Sequence, residues 1–187
     1  MWVIQSRSTF IVLCERSHYN HEKSRIVIPN RIVRFLEHDA NLAFAGTRDH
    51  YLVPRGHRVS AWQVGSNRRT LTAFVPETFT DGLIEALEDN GEVALTVEEF
   101  PSHETYQFKG RFLRHRPIVA DDLAIVDRVR ERFARRLKSL YSDAPPNVLS
   151  DFILKPTLAV EFEVHDIFVQ TPGPGAGARL ELEGEMR

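Results

Sequence analysis

Cys14 is the only cysteine in 187 residues, so no intrachain disulfide can form and no disulfide framework points to secretion. Long apolar runs are missing as well. The run Phe10–Leu13 is too short for a secretory core or a membrane span, and a soluble, cytoplasmic protein is expected. Neither sign of charge dominates: 24 Lys and Arg stand against 26 Asp and Glu, a net charge of −2. The summed field therefore gives no reason to expect nucleic acid or an anionic membrane as partner. A small molecule or another protein is the expected partner. Common signatures are absent too: no Gly-x-Ser-x-Gly elbow, no phosphate-cradling Gly-rich loop, no Gly-x-Gly-x-x-Gly between strand and helix, and no His-Glu-x-x-His. Cys14, His18 and His21 lie close together, but their spacing matches no zinc pattern, and no metal is expected.

What is present reads as one domain over residues 26–172, preceded by an N-terminal arm (1–25) and followed by a Gly/Pro-rich exit and acidic tail (173–187). Pro29 suits the first turn of a short helix carrying Ile32, Val33, Phe35 and Leu36 as its apolar stripe. A strand follows at Leu42–Ala45. Next comes a hairpin whose first strand, Arg58–Val64, has apolar groups on both faces and whose return runs through Leu71, Ala73 and Val75 across the turn "GSNRR". Thr78 and Asp81 resemble a capping box for a helix that Asn90-Gly91 ends. Two further strands are expected, at 93–97 and in "HETYQFKGRFL", where Tyr106, Phe108 and Phe112 alternate with Gln107, Lys109 and Arg111. Leu123, Val126, Val129, Phe133, Leu137 and Leu140 mark a long helix with one buried stripe, its many basic residues on a solvated face. "TLAVEFEV" reads as the last strand, and "TPGPGAG" breaks regular structure. Six strands in short hairpins, without β-α-β alternation, predict a mainly β protein with helices (α+β), closed as a small antiparallel barrel.

The run "LAFAGTRD … HRVSAWQVGSNRRTLTAFVPETFTDGLIEALEDNGEVALTVEEF … HETYQFKG" resembles the pyridoxamine 5'-phosphate oxidase-like family of FMN-binding split β-barrels. The resemblance covers about residues 38–113. It implies a six-stranded antiparallel split β-barrel and a homodimer with FMN at two interfacial sites, acting as an oxidoreductase. Carried onto this chain, Ser60 and Trp62 would border the flavin ring, Phe74 and Val75 would offer backbone groups, and Gln107 and Lys109 would contact flavin or substrate. An apolar slot with directed polar groups is also what a flavin needs. Cationic candidates for its phosphate are Arg55, His57, Arg58, Arg68 and Arg69.

The chain departs from the family's pattern at two places. The turn that usually carries a phosphate-binding cation reads "PETFTDG", where Glu77 and Asp81 have the wrong sign and only Thr78, Thr80 and helix N–H groups can donate. The ending lacks the family's Arg-Leu-x-Pro, so pyridoxamine phosphate is not the expected substrate. Alternatives stay open at several positions: Trp62 as a core or interface aromatic, Lys109 and Arg111 as a solvated face, and "TPGPGAG" as a phosphate nest or a plain exit. The second reading of the whole is a barrel that has lost FMN and serves as a ligand-binding or interaction module.

Overall fold

The computed structural model describes residues 26–39, 42–76, 82–141 and 155–181. Among these, seven strands form one antiparallel sheet: β1 (Leu42–Arg48), β2 (Pro54–Val59), β3 (Ala61–Val64), β4 (Thr70–Val75), β5 (Glu92–Glu98), β6 (Thr105–Pro117) and β7 (Leu158–Val169). Their order is β2-β1-β5-β6-β7-β4-β3. Helix α1 (Asn30–Arg34) runs on into a π-helical turn, Phe35–Asp39, and α2 (Leu83–Asn90) and α3 (Ala120–Leu140) complete the set. The sheet curls into a half-barrel, the α+β split-barrel architecture that the strand pattern implies.

Seven strands stand where six are expected because the stretch read as one strand, Arg58–Val64, bends at Ser60. Before the bend, β2 pairs with β1, from Val59 opposite Ala43 to Pro54 opposite Arg48. After it, β3 pairs with β4, Ala61 opposite Phe74. The Ser60 N–H donates to the Phe74 carbonyl at 2.8 Å, so the change of partner costs no backbone hydrogen bond there. One continuous segment thus belongs to both ends of the strand order and draws them together.

Curvature comes from β6. This 13-residue strand pairs with β5 on one side and β7 on the other, and two bulges, between Lys109 and Gly110 and between Phe112 and Arg114, bend it against β7. At the first bulge the backbones approach so closely that a Cβ on Gly110 would lie 1.9 Å from the Glu163 carbonyl oxygen. The enclosed face carries the core: Val93, Leu95 and Val97 of β5 are buried in strict alternation and meet Phe108, Phe162, Val164 and Ile167.

The helices close the open ends. Gly91 terminates α2 at φ 71°, as the Asn90-Gly91 pair implies; the Thr78/Asp81 cap lies outside the described residues. On α3, Val126, Val129 and Phe133 are buried, whereas Leu123 and Leu140 are exposed. The helix packs on β3, and four strand residues span about 13 Å against about 31 Å for a 21-residue helix. Two ion pairs hold α3 instead. At its start, the buried Asp122 carboxylate accepts two bonds from Arg116 (2.5 and 3.0 Å) and the N–H of Val119 (2.8 Å). Further along, Arg136 donates at 2.7 Å to buried Glu99 in the β5–β6 connection.

The Gly/Pro-rich segment is not a simple exit. After Gly177 the chain folds back on β7: the N–H of Val169 donates to Ala178 and that of Leu180 to Ile167 (2.9 and 2.7 Å), and Leu180 is buried in the core. No helix among the described residues is long and apolar enough to cross a membrane.

Two predictions follow from these contacts. Gly110→Ala is expected to lower stability by about 2–3 kcal/mol through overpacking, while Gly46→Ala, whose new Cβ would meet only a carbonyl oxygen at 3.8 Å, should raise it by about 0.5–1 kcal/mol. Urea midpoints compare the two, and equal losses would contradict the geometry. Hydrogen bonds from Arg116, aided by the Val119 N–H against the opposing effect of burial, hold the Asp122 carboxyl below its ordinary value. Its stabilisation is therefore present above the unfolded value of about 3.9 and is lost as pH falls through the lower folded value. Asp122→Asn should be about 2 kcal/mol less stable than the parent at pH 7. The gap should narrow as the pH is taken below about 3, and a constant gap would refute the assignment.

Candidate cofactor site

The sequence-predicted site residues separate into two groups. In an antiparallel sheet, directly opposed residues point to the same face, so the register defines rows across the barrel wall. One outward row reads Arg58, Phe44, Thr96, Gln107, Phe168; the next reads Gly56, Gly46, Ala94, Lys109, Asp166. Arg58, Gln107 and Lys109 therefore share one outer face, with Arg58 and Gln107 three strands, or about 14 Å, apart. Gln107 donates to Thr96 Oγ1 at 3.1 Å, and Lys109 Nζ sits 4.6 Å above the centre of the Phe168 ring.

The row that ends at Lys109 forms a shelf that composition alone does not reveal. Gly46, Gly56 and Ala94 are adjacent in their row, and Phe44 beside them is 50% exposed. Added side chains at Gly46 and Gly56 would each meet only a carbonyl oxygen at the ordinary distance of 3.8 Å. The fold of this chain does not require glycine at either position, and strand glycine costs about 0.5–1 kcal/mol relative to alanine. Strand glycines are found at bulges, at tight bends and where a ligand or another backbone comes close.

Ser60, Trp62, Phe74 and Val75 form the second group, at the bend. All four side chains are buried, so Ser60, Phe74 and Val75 can offer a ligand chiefly backbone. Two of those backbone acceptors are already engaged, the Phe74 carbonyl by Ser60 and the Val75 carbonyl by the N–H of Thr157 (3.0 Å). The Trp62 indole donates to the Leu36 carbonyl at 3.0 Å and is 4% exposed. Its exposed edge borders a cleft between α1 and α3 and not the outer shelf. Thr78 and Thr80 lie outside the described residues, as do Glu77 and Asp81.

The structure also sorts the candidate cations. Arg68 is bonded to Asn30 Oδ1 at the β3–β4 turn, and Arg69 belongs to the same turn. Arg55 is different: its guanidinium lies 3.0–3.3 Å from where a Cβ of Gly82 would sit, immediately before α2. Gly82, at φ 73°, thus leaves the space that brings a β2 cation to the start of a helix. Arg55 is one of the cations that the sequence offers for a phosphate, and its approach to Gly82 is set by the packing of α2, which spacing along the chain does not show. Alternation in "HYLVPRGHRV" places Arg55 and Arg58 on opposite faces of β2, so the two flank the strand that ends the sheet order.

No family model matches the chain, and no curated protein does. Among solved structures, HupZ of Group A Streptococcus is similar at 16% identity, covering 81% of this chain and 98% of its own, with a TM-score of 0.49. An F420 reductase is similar at 13% identity over 75% and 98% of the two chains, TM-score 0.47. An FMN-binding protein from Syntrophomonas wolfei is similar at 12% identity over 80% and 84%, TM-score 0.45. These are distant likenesses of chain path; the split-barrel description rests on this chain's own strand order and register.

Trp62→Phe tests the role of the indole at the bend. Losing the bond to the Leu36 carbonyl should cost about 1–2 kcal/mol of stability, read from the urea midpoint. An unchanged midpoint would show that the indole N–H is not engaged there.

Proposed function

We propose that this chain is an FMN-binding flavoprotein oxidoreductase that works as a homodimer, with a small-molecule substrate other than pyridoxamine phosphate. What carries the reading is the shelf of Gly56, Gly46 and Ala94, which ends at Lys109 in its own row and runs beside the row of Arg58, Phe44, Thr96 and Gln107, a surface on which the chain's own packing does not require glycine. The residues present fit the cofactor in kind. A planar ring needs a surface without side chains, polar groups at its rim and cations for its phosphate. The shelf would take the ring, Gln107 and Lys109 would meet its polar rim, and Arg58 and Arg55, the latter with the start of α2, would face the phosphate. Arg55 supplies the charge that Glu77 and Asp81 do not.

A second copy would complete the site. Phe44 on the outer face and Tyr51, Leu52 and Val53 at the β1–β2 connection are large apolar side chains 44–77% exposed, a grouping that suits a protein contact. Pairing two such faces would cover the apolar groups and shut water out of the shelf between them. When bound, FMN supplies hydride exchange; the task of this chain's residues is to orient the ring and to exclude solvent, and none is assigned as an acid or base.

The test is direct. Purified protein should be yellow, should release FMN on denaturation and should sediment as a dimer. Ala94→Arg, on an outer and partly exposed position, should leave stability within about 0.5 kcal/mol while abolishing FMN binding and dimerisation. Arg58→Ala should weaken FMN roughly tenfold, the loss of one charge-assisted contact. Colourless protein that takes up no FMN in titration would overturn the flavin reading in favour of a ligand-binding module.

A further inference from the structure

The cleft that Trp62 borders is independent of the shelf. It has a volume of about 580 Å³, within the range of small-molecule sites, and lies between α1 with its π-helical turn, β3 and α3. Its floor is apolar: Leu36, Trp62, Val64, Ile125 and Val129. Its α3 wall is basic. Arg128, Arg132 and Arg135, at spacings of four and three, stand on one helical face and all line the cleft. Glu37 and Glu131 line it as well, and Glu131 is 3.9 Å from Arg135 in an exposed pair. Three guanidiniums thus face two carboxylates, one of them already beside a cation. The Nε and Nη1 atoms of Arg132 are shielded from solvent, and a charge in such surroundings interacts more strongly with an arriving anion than one in open water. Four of the six basic residues of α3, Arg128, Arg130, Arg135 and Lys138, are exposed, as a solvated face implies; Arg136 pairs with Glu99, and Arg128, Arg132 and Arg135 border the cleft.

We propose that this cleft is a binding site for a small amphipathic anion, its charged group held by Arg128 and Arg132 and its apolar body resting on Trp62, Val64 and Ile125. An inorganic anion alone would leave the floor unused, and a neutral apolar ligand would leave the guanidiniums facing nothing gained on binding. An aromatic or aliphatic carboxylate, sulfonate or phosphate answers both walls.

Trp62 is itself the reporter, since Trp2 is the only other tryptophan. In a Trp2→Phe protein, the probe 1-anilinonaphthalene-8-sulfonate should quench Trp62 emission saturably, at one probe per chain, under native conditions at pH 7. The uncharged analogue N-phenyl-1-naphthylamine should bind at least tenfold more weakly. Arg128→Ala with Arg132→Ala should raise the dissociation constant of the sulfonate at least tenfold. Gln63→Glu, an exposed lining position, should weaken it several-fold without touching the core, which keeps the test decisive if the double variant misfolds. Saturating FMN should not displace the probe. Equal binding of the neutral analogue, or equal binding by both the Arg and Gln63 variants, would overturn the proposal; so would displacement by FMN, which would make the cleft part of the flavin site. A protein that binds no FMN yet holds the sulfonate as described would sink the flavin reading and leave this one standing.

Discussion

The hydrogen bond from the Ser60 N–H to the Phe74 carbonyl marks the point on which the rest of the structure depends. There a single extended segment leaves β1 and joins β4, so that the two end strands of the sheet are halves of one bent segment. The bend brings the two ends of the strand order into one segment with a change of one residue. It also divides the wall into an enclosed face that packs around Phe108, Phe162 and Ile167 and an outer face free for other work. Both candidate sites follow from it: the glycine shelf lies outside the strand before the bend, and Trp62, just after it, floors the cleft under α3.

Charge is used unevenly across this frame. Arg116 and Arg136 are committed to buried carboxylates at the two ends of α3, where they fix a helix that too short a strand supports. Removing the arginine of such a pair leaves a buried carboxylate uncompensated, which is why these contacts matter more than exposed pairs of equal length. Arg55, Arg58, Arg128 and Arg132 are placed differently, beside a helix start, an outer shelf and a cleft. The near-neutral total of the chain hides this division, since the net charge sums over all positions alike.

Much of the fold could be read from the sequence where periodicity was strict. The alternation of Val93, Leu95 and Val97, the Tyr106–Phe108 alternation and the Val126–Val129–Phe133 stripe each reflect burial on one face, and burial is what patterning records. The bend at Ser60 could not be read, because Val59, Ala61 and Trp62 are all apolar and a strand that changes partner looks like one continuous strand. The shelf was equally invisible: Gly46 and Gly56 sit ten residues apart and become neighbours only through register. Trp62 stands out in the sequence, but the hydrogen bond that turns its indole toward Leu36 depends on a helical turn that meets it only in three dimensions. Arg55 shows the same limit, since its approach to Gly82 is set by the packing of α2 and not by spacing along the chain.

Native-state hydrogen exchange at the amide of Ser60 tests the closure most directly. If the bent strand holds both ends of the sheet together, this amide exchanges only through global unfolding, as slowly as the amides of β5 and β7 and with the same dependence on denaturant. Exchange near the rate of an unprotected amide, while β5 and β7 remain protected, would mean that the sheet is open at Ser60 and that neither the shelf nor the cleft has the shape described.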